Sequence, residues 1–233
     1  MNKNSTNSAS LGSPLVGELE GASLIVGITG GIGGGKSTFS QLLREKGYAV
    51  YDTDHEAKRL QNERPDIRKQ LMTEFGNEIY DENGQLNRKR LANLVFENPK
   101  LLSKLNEIVH PVVRQDFEEW QKKYAQEKIL FVESAIMLES GFSELTDKII
   151  IVTAPENVRI QRVVERDGVT YEQVRARIAN QMPETEKIKR ADFVLNSDGK
   201  RVLSESLDEI LFELEKLQRN KFIRENSYLC SFK

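Results

Sequence analysis

Apolar and polar positions alternate along the chain in blocks that predict strands separated by helices. Short apolar runs of about four to eight residues are typical of strands buried on both faces of a sheet. Between these runs, apolar residues recur every three or four positions, as on one face of a helix. Strands joined by helical crossovers predict an α/β fold, a parallel sheet with helices on both faces. The predicted strands cover residues 24–28, 48–51, 129–132, 148–152 and 192–195.

The same periodicity predicts the helices and the places where they break. Proline and glycine mark most of the predicted interruptions, because the first cannot continue a helix and the second favours its end. His110-Pro111 is expected to interrupt a long apolar helix. The predicted helices are one that Gly47 ends, a stretch over 55–75 broken at Pro65, one from about Arg88, one from Pro99, one over 156–182 with a hinge at Asp167-Gly168, and a last one to about Leu217.

A glycine-rich stretch after the first strand carries the strongest chemical signal. Residues 24–38 read LIVGITGGIGGGKST, with the spacing Gly30-x4-Gly35-Lys36-Ser37 of a phosphate-binding loop between a strand and a helix. Glycines let backbone N–H groups turn toward phosphate oxygens, and the following helix points its positive end at them. Lys36 would reach the β- and γ-phosphates of ATP, and the Ser37 hydroxyl would ligate Mg²⁺. The residues expected to bind ATP are Gly31, Ile32, Gly33, Gly34, Gly35, Lys36, Ser37 and Thr38.

Carboxylates end two further predicted strands. Asp52 and Asp54 follow the second strand, and Glu133 follows the third. Ligands of parallel sheets bind at this carboxyl edge. If the strand geometry continued, both aspartates would lie on one side, where one could deprotonate a hydroxyl and the other hold Mg²⁺ through water. Glu133 could support the same metal, although a helix-capping role remains open for all three carboxylates.

An arginine-rich segment predicts a lid over the phosphates. Arg159, Arg162 and Arg166 share one helical face, and Arg175 and Arg177 follow after Asp167-Gly168. Arginine suits the charge of a phosphoryl group in transfer, and a hinge would let two helices close over ATP and expel water. Arg162 and Arg166 are the preferred candidates, since nearby glutamates can pair with the others. The alternative is a solvated, charged helix face.

Charge and composition narrow the classes of partner. The chain has 34 basic and 36 acidic residues, for a net charge of -2, so no general basic field exists to attract nucleic acid. No apolar run reaches the roughly 20 residues of a membrane span, and residues 1–22 show no export signal. The single cysteine, Cys230, cannot form an internal disulfide. We therefore expect a cytoplasmic protein without membrane, nucleic-acid or obligate protein partners.

Five motifs together make the chain similar to one enzyme family. In order they are GITGGIGGGKST, YDTDHEAKRL, NEIVHPVVR, RVVERDG with Arg177-Ile178-x-x-Gln181, and ADFVLNSDG. This combination resembles the dephospho-CoA kinases over residues 24–218. The resemblance implies transfer of the ATP γ-phosphate to the ribose 3′-hydroxyl of dephospho-CoA, the last step of coenzyme A synthesis. It implies a P-loop kinase fold with a five-stranded parallel sheet, a helical acceptor-binding domain and a lid.

The resemblance also implies roles and boundaries. Asp54 matches the base and Asp52 its substrate-side partner, His110 and Arg114 fall in the motif that lines the acceptor site, and Arg162 and Arg166 match lid arginines. A lone histidine is otherwise more often a packing residue. The expected division is a disordered extension at 1–22, one kinase domain at 23–218 and a tail at 219–233. Within the domain, the core is 23–54, 127–155 and 190–218, the helical insertion 55–126 and the lid 156–189.

Two departures and two alternatives accompany this interpretation. Gly34 stands where the family usually has serine, and residues 134–139 lack the family's proline, leaving Ile136 and Leu138 as apolar surface. A kinase of nucleoside monophosphates is the nearer alternative, because Lys58, Arg59 and Arg64 could bind an acceptor phosphate. A GTPase-type switch is the other, but the chain has no Asn-Lys-x-Asp motif for guanine.

Overall fold

Five parallel strands form the sheet of the computed structural model, which describes residues 23–96, 98–199 and 203–230. The strands are β1 Leu24–Thr29, β2 Val50–Asp52, β3 Ile129–Glu133, β4 Lys148–Thr153 and β5 Phe193–Asn196. They lie in the order β2-β3-β1-β4-β5, with all neighbours parallel. The five-stranded parallel sheet predicted from the sequence is therefore confirmed. The predicted extension at 1–22 lies outside the described residues.

Helices cover both faces of this sheet. Successive residues of a strand point to opposite faces. Phe131 accordingly belongs to a buried cluster with Phe39 and Leu214, whereas Val132 belongs to a cluster with Val113. The helices are α1 Lys36–Glu45, α2 Thr53–Glu63, α3 Pro65–Phe75, α4 Arg88–Phe96, α5 Pro99–Lys123, α6 Glu156–Asp167, α7 Tyr171–Ala179, α8 Glu184–Lys189 and α9 Leu203–Cys230. None of the helices in the described ranges is long and apolar enough to cross a membrane.

Helices α2 to α5 pack on one face of the sheet and cover most of the range, 55–126, in which the insertion is predicted. Tyr51 of β2 contacts the rings of Phe117 and Trp120 on α5. Its hydroxyl donates to Asp116 at 2.7 Å, so the buried ring keeps a polar partner. Asp116 also pairs with Arg59 of α2 at 2.7 Å. Apolar packing and this small polar network together fix the insertion against the end of β2.

Of the two predicted helix interruptions at His110-Pro111 and Asp167-Gly168, only the second is found. Pro111 lies inside α5, which continues without a break through His110 and Pro111, so the expected interruption is wrong. Proline removes a single helical hydrogen bond, and the apolar face of a long helix can offset that loss. Residues 156–182 do divide after Asp167, where Gly168 has a left-handed φ of 64°. Helix α8, after this stretch, had no separate signal in the sequence.

The last helix is longer than its apolar pattern predicts. The expected end at about Leu217 is wrong, because α9 continues to Cys230 and includes most of the predicted tail. Lys221 anchors the extra turns by bonds to the Ser23 carbonyl at 3.2 Å and to Asp147 at 2.8 Å. Apolar periodicity does not report such a polar anchor, so the prediction stopped where the apolar positions thin out.

Candidate active site

The loop between β1 and α1 has the backbone shape that phosphate binding requires. Gly33 and Gly35 have φ angles of 76° and 96°, in the region that favours glycine. A Cβ atom on Gly34 would lie 2.5 Å from the carbonyl oxygen of Val152, so the loop packs directly on the end of β4. Helix α1 begins at Lys36, which places its N-terminus beside the loop. The strand, loop and helix of the motif therefore occur in the predicted order.

The Lys36 side chain lies within this loop rather than in solvent. Its Nζ atom donates to the carbonyl oxygens of Gly30 at 2.9 Å and Gly31 at 3.4 Å. Loss of hydration lowers the pKa of this ammonium, and the negative charges of Glu133 and Asp54 oppose the fall. Lys36 is thus a cation beside both carboxylates at the edge of the sheet, where it can meet a phosphate group.

Ser37 and Glu133 meet next to Lys36. The Ser37 hydroxyl lies 3.3 Å from Glu133 Oε1. Glu133 is 6% exposed, and its Oε2 atom has no hydrogen-bond partner among the described residues. Burial raises the pKa of this carboxyl, and the charge of Asp52, its register partner on β2, adds to the rise. A buried carboxylate oxygen without a partner is costly, which makes this point suitable for a cation.

Asp52 and Asp54 occupy different elements, contrary to the extended geometry considered in the sequence. Strand β2 ends at Asp52, whose carboxylate accepts from the His55 N–H at 3.0 Å and caps α2. Asp54 lies in the first turn of that helix. Its side chain is solvent-accessible, yet the surrounding protein removes part of its hydration. This loss, with the charge of Asp52, raises the pKa of Asp54.

A cavity opens beside Asp54, between α2, α5 and the segment after β3. Its apolar lining includes Leu105, Val109 and Phe142. Ile136 lines it as predicted, whereas Leu138 is buried in the core and is not among the lining residues. The polar lining residues are Thr53, Asp54, Gln61, Asn106, His110, Ser134 and Ser140. Such a mixture of apolar walls and few polar groups suits an organic acceptor.

His110 and Arg114, both predicted for the acceptor site, differ in position. His110 lines the cavity, and burial together with the charge of Arg114 lowers the pKa of its imidazole. Arg114 is not among the lining residues. It donates instead to the Gly141 carbonyl at 3.2 Å, next to the lining residue Ser140. The sequence analysis did not predict Asn106 as a lining residue, although it precedes His110 by four residues and so lies on the same helix face.

The two predicted lid arginines share a cleft with the phosphate loop. Arg162 and Arg166 line it together with residues 33–38. Arg162 donates to Ser197 Oγ at 2.9 Å and to the Gly33 carbonyl at 3.4 Å, so it ties the loop to the end of β5. Arg166 pairs only with its neighbour Asp167 among the described residues and is largely exposed. Arg166 is therefore the freer of the two.

Three further residues hold the lid to the phosphate loop. Arg159 is 5% exposed and pairs with Glu184 of α8 at 3.2 Å. Gln181 accepts from the Ile32 N–H at 3.1 Å. The sequence places Arg159 in the arginine run and Gln181 in a quoted motif, but gives neither a partner. Only the fold brings residues about 150 positions apart into contact.

Comparison with known proteins decides among the possible kinases. The family model described as dephospho-CoA kinase matches residues 24–202. The chain belongs to the dephospho-CoA kinase family. A dephospho-CoA kinase of Bacteroides fragilis is 39% identical over 209 residues, covering 89% of this chain and 97% of its own. One from Leptospira interrogans is 41% identical, covering 75% and 84%.

Solved structures agree with this assignment. A crystal structure from Thermus thermophilus has a TM-score of 0.73 at 38% identity, covering 83% of this chain and 98% of its own. The dephospho-CoA kinase of Campylobacter jejuni has a TM-score of 0.60 at 24% identity and supports the fold alone. The chain is therefore an α/β P-loop kinase that uses ATP to convert dephospho-CoA into coenzyme A.

The family assignment also removes the two alternatives raised by the sequence. A GTPase-type switch is excluded because the chain is a kinase. For the nucleoside monophosphate alternative, the structure shows where the basic residues lie. Arg59 pairs with Glu56, Glu63 and Asp116, and Arg64 pairs with Asp66. Both arginines thus have carboxylate partners, but such surface pairs are weak, and it is the family assignment that removes this alternative.

Proposed function

We propose that the ATP phosphates lie along residues 31–38 and the ribose of dephospho-CoA enters the cavity beside Asp54. One observation carries this proposal: Asp54 lines the acceptor cavity and its charge also acts on Lys36 of the phosphate loop. A single carboxylate thus borders both sites. A hydroxyl held there would face the γ-phosphate, as an in-line displacement requires.

Asp54 then serves as the base for the 3′-hydroxyl of the ribose. Its raised pKa makes the carboxylate a better proton acceptor than an ordinary exposed aspartate. Lys36 exchanges its loop carbonyl contacts for the β- and γ-phosphate oxygens. Arg166 turns from Asp167 toward the phosphoryl group as the lid closes, and Arg162 holds the loop against Ser197.

The donor set at the loop fits Mg²⁺. Ser37 and the partnerless oxygen of Glu133 would hold the ion, with Asp52 acting through water. Mg²⁺ usually binds one or two carboxylates, waters and phosphate oxygens. Among the described residues, no three His, Cys, Asp or Glu side chains are grouped so that they could hold a metal ion by themselves. When bound, Mg²⁺ neutralises charge on the β- and γ-phosphate oxygens.

A kinase assay with identified product tests the reaction. We expect ADP release with dephospho-CoA, a product heavier by one phosphate, and little turnover with AMP, CMP, GMP or shikimate. An analogue that lacks the 3′-hydroxyl should bind but not react. Phosphorylation of that analogue would contradict the proposed acceptor atom.

A magnesium titration separates the two aspartates. If Asp52 acts mainly through the metal, excess Mg²⁺ should partly restore Asp52→Asn and leave Asp54→Asn inactive. The reverse result would exchange the two roles. Full activity in both variants would remove the pair from the mechanism.

The sequence also suggests the cellular compartment and the partners of the proposed reaction. We place it in the cytoplasm, where a lone cysteine would remain reduced. Dephospho-CoA and ATP are the only partners that the proposed mechanism requires. The expected absence of nucleic-acid, membrane and obligate protein partners stays a prediction.

A further inference from the structure

Residues 181–187, here called the bridge segment, contact the phosphate loop on one side. Gln181 Oε1 accepts the Ile32 N–H at 3.1 Å. Glu184 pairs at 3.2 Å with Arg159, whose guanidinium packs directly against Gly31. Both contacts use the part of the chain that is proposed to receive ATP phosphates. A movement of the loop on nucleotide binding would therefore reach the bridge segment.

On its other side, the bridge segment meets Glu139. The Met182 N–H donates to Glu139 Oε1 at 3.2 Å, and Lys187 Nζ lies 3.1 Å from the same oxygen. Lys187 is fully buried, and its ammonium has no other ion-pair partner among the described residues. This pair is close but not aligned as a hydrogen bond. A buried cation with one counter-charge depends strongly on that partner.

Glu139 does not line the acceptor cavity itself, but it lies in the segment after β3 that forms one of the cavity's walls. Ser134, Ile136 and Ser140, from the same short segment after β3, line the cavity beside Asp54. Arg114 of α5 holds the end of this segment through the Gly141 carbonyl. A shift of Glu139 would therefore change the shape of the acceptor site without Glu139 itself touching the acceptor.

We propose that Glu139 is a positioning residue that couples the two substrate sites through its contacts with Met182 and Lys187. Nucleotide bound at the loop fixes the bridge segment, the bridge segment fixes Glu139, and Glu139 fixes the acceptor wall. This inference rests on the two sites assigned under the proposed function. Coupling of this kind requires contacts that differ between two states, and the contact of the buried Lys187 with the partly exposed Glu139 can be made in one state and broken in the other.

Calorimetric titration measures the coupling directly. The affinity for dephospho-CoA is compared with and without a saturating, non-hydrolysable ATP analogue and Mg²⁺. For the unaltered protein we expect tighter binding with the analogue by about 5-fold or more, within the usual range of allosteric coupling. We call the affinity for dephospho-CoA with the analogue, divided by the affinity without it, the coupling ratio. In Glu139→Gln this ratio should fall to about 1 to 2, while affinity for the analogue alone changes little.

A matched control is available on the same helix. Lys189 is 69% exposed and pairs with Glu186 rather than Glu139, so Lys189→Met should keep the full ratio. Lys187→Met should lose it, and combining it with Glu139→Gln should cause no further loss. If a single variant does not fold, Glu139→Leu/Lys187→Met should fold with a ratio near 1, since it removes the buried cation of Lys187 together with its counter-charge and leaves neither unpaired.

The outcomes distinguish this inference from the proposed function. A wild-type ratio of 1, or an undiminished ratio in Glu139→Gln or in the folded double variant, would overturn the coupling and leave the site assignments intact. Failure of the unaltered protein to bind dephospho-CoA under either condition would overturn the assigned acceptor site, and the coupling with it. Loss of the ratio in Lys189→Met as well would indicate a general loosening of α8 and also overturn the role of Glu139.

Discussion

The nucleotide side and the acceptor side of the site are built in different ways. The nucleotide side is one continuous stretch, residues 30–38, in which backbone N–H groups and glycine conformations provide most of the binding surface. The acceptor side is assembled from side chains of α2, α5 and the segment after β3, for example Asp54, His110 and Ile136. A backbone site is encoded locally, whereas a side-chain site depends on how distant elements pack.

This difference has consequences for substitution. A side chain added in the phosphate loop would collide with backbone, as the approach of Gly33 to the carbonyl of Arg159 shows. In the acceptor wall, by contrast, residues 134–139 lack the proline expected from the family resemblance, and Ser134 and Ile136 still line the cavity. We therefore expect substitutions on the nucleotide side to affect turnover, and those on the acceptor side mainly to affect acceptor binding.

Asp54→Asn should have the largest effect, because Asp54 borders both sides. The change keeps the shape and removes the proton acceptor, so kcat should fall by roughly 10²- to 10⁴-fold, the usual range for a general base. ATP affinity should change far less. Steady-state kinetics with both substrates varied, and circular dichroism as a check of folding, measure this. A near-native kcat would exclude Asp54 as the base.

The pH profile of the unaltered enzyme gives a second test of Asp54. Partial loss of hydration and the charge of Asp52 raise the pKa of Asp54, and only the deprotonated form can accept a proton. Activity should therefore fall as the pH drops through that raised value, earlier than for an ordinary aspartate. Asp54→Asn should lose this acidic limb. An unchanged limb in the variant would assign it to another group.

Lys36→Ala should be the next most damaging change, and it tests the nucleotide side alone. Removal of a donor to developing phosphate charge typically costs about 10²- to 10³-fold in kcat. The fold should persist, since in the described part of the chain the hydrogen bonds of Nζ go to loop carbonyls. Lys46→Ala, at the far end of α1, is the matched control because its lysine pairs with Asp208 on the surface. Similar kinetics in both variants would contradict the phosphate-loop assignment.

Substitutions of the two predicted lid arginines should have different kinetic effects. Arg166→Ala should lower kcat by roughly 10-fold with little change in ATP binding, because it meets phosphate only in the closed state. Arg162→Ala should also weaken ATP binding, since Arg162 ties Gly33 to Ser197. Arg175→Ala, on exposed α7, provides the control. Small and equal effects of the Arg166 and Arg175 substitutions would contradict a role of Arg166 in phosphoryl transfer and favour a solvated helix face.

The features that could be predicted from the sequence are those encoded locally, and those that depend on the packing of distant elements could not. The strands, the loop and the break at Gly168 depend on local patterns, and they are found where the patterns place them. Leu138 was predicted as acceptor surface but is buried, since the turns over residues 135–140 give no regular spacing from which the cavity-facing side chains could be predicted. The roles of Arg159 and Gln181 were not predicted, since their partners lie 25 and 149 positions away in the sequence.

Pro111 and the length of α9 show that hydrophobic patterns do not always predict where a helix breaks or ends. A proline signals a break only if packing does not compensate, and the apolar face of α5 packs on both sides of Pro111. Beyond the predicted end of α9, Lys221 contacts Asp147, a tertiary ion pair without a periodic signal in the sequence. Boundaries held by polar contacts between distant segments cannot be inferred from hydrophobic spacing alone.

His110→Ala should have the smallest effect and tests the acceptor side by itself. Burial and the charge of Arg114 lower the pKa of His110, so it acts as a neutral hydrogen-bonding group near pH 7. Loss of one such bond should raise KM for dephospho-CoA by roughly 3- to 10-fold, since a typical hydrogen bond contributes about 0.5–1.5 kcal/mol. KM for ATP should stay unchanged.

The control and the pH dependence sharpen this last prediction. Glu107→Ala removes an exposed neighbour on α5 that bonds only Ser103 and Lys104 among the described residues, and it should leave both KM values unchanged. His110→Asn retains a hydrogen-bonding side chain and should recover part of the affinity. Because the imidazole is already neutral, acceptor KM should not vary through His110 between about pH 7 and 8. A larger change in KM for ATP than for dephospho-CoA would show that the two sides of the site are not separable at His110.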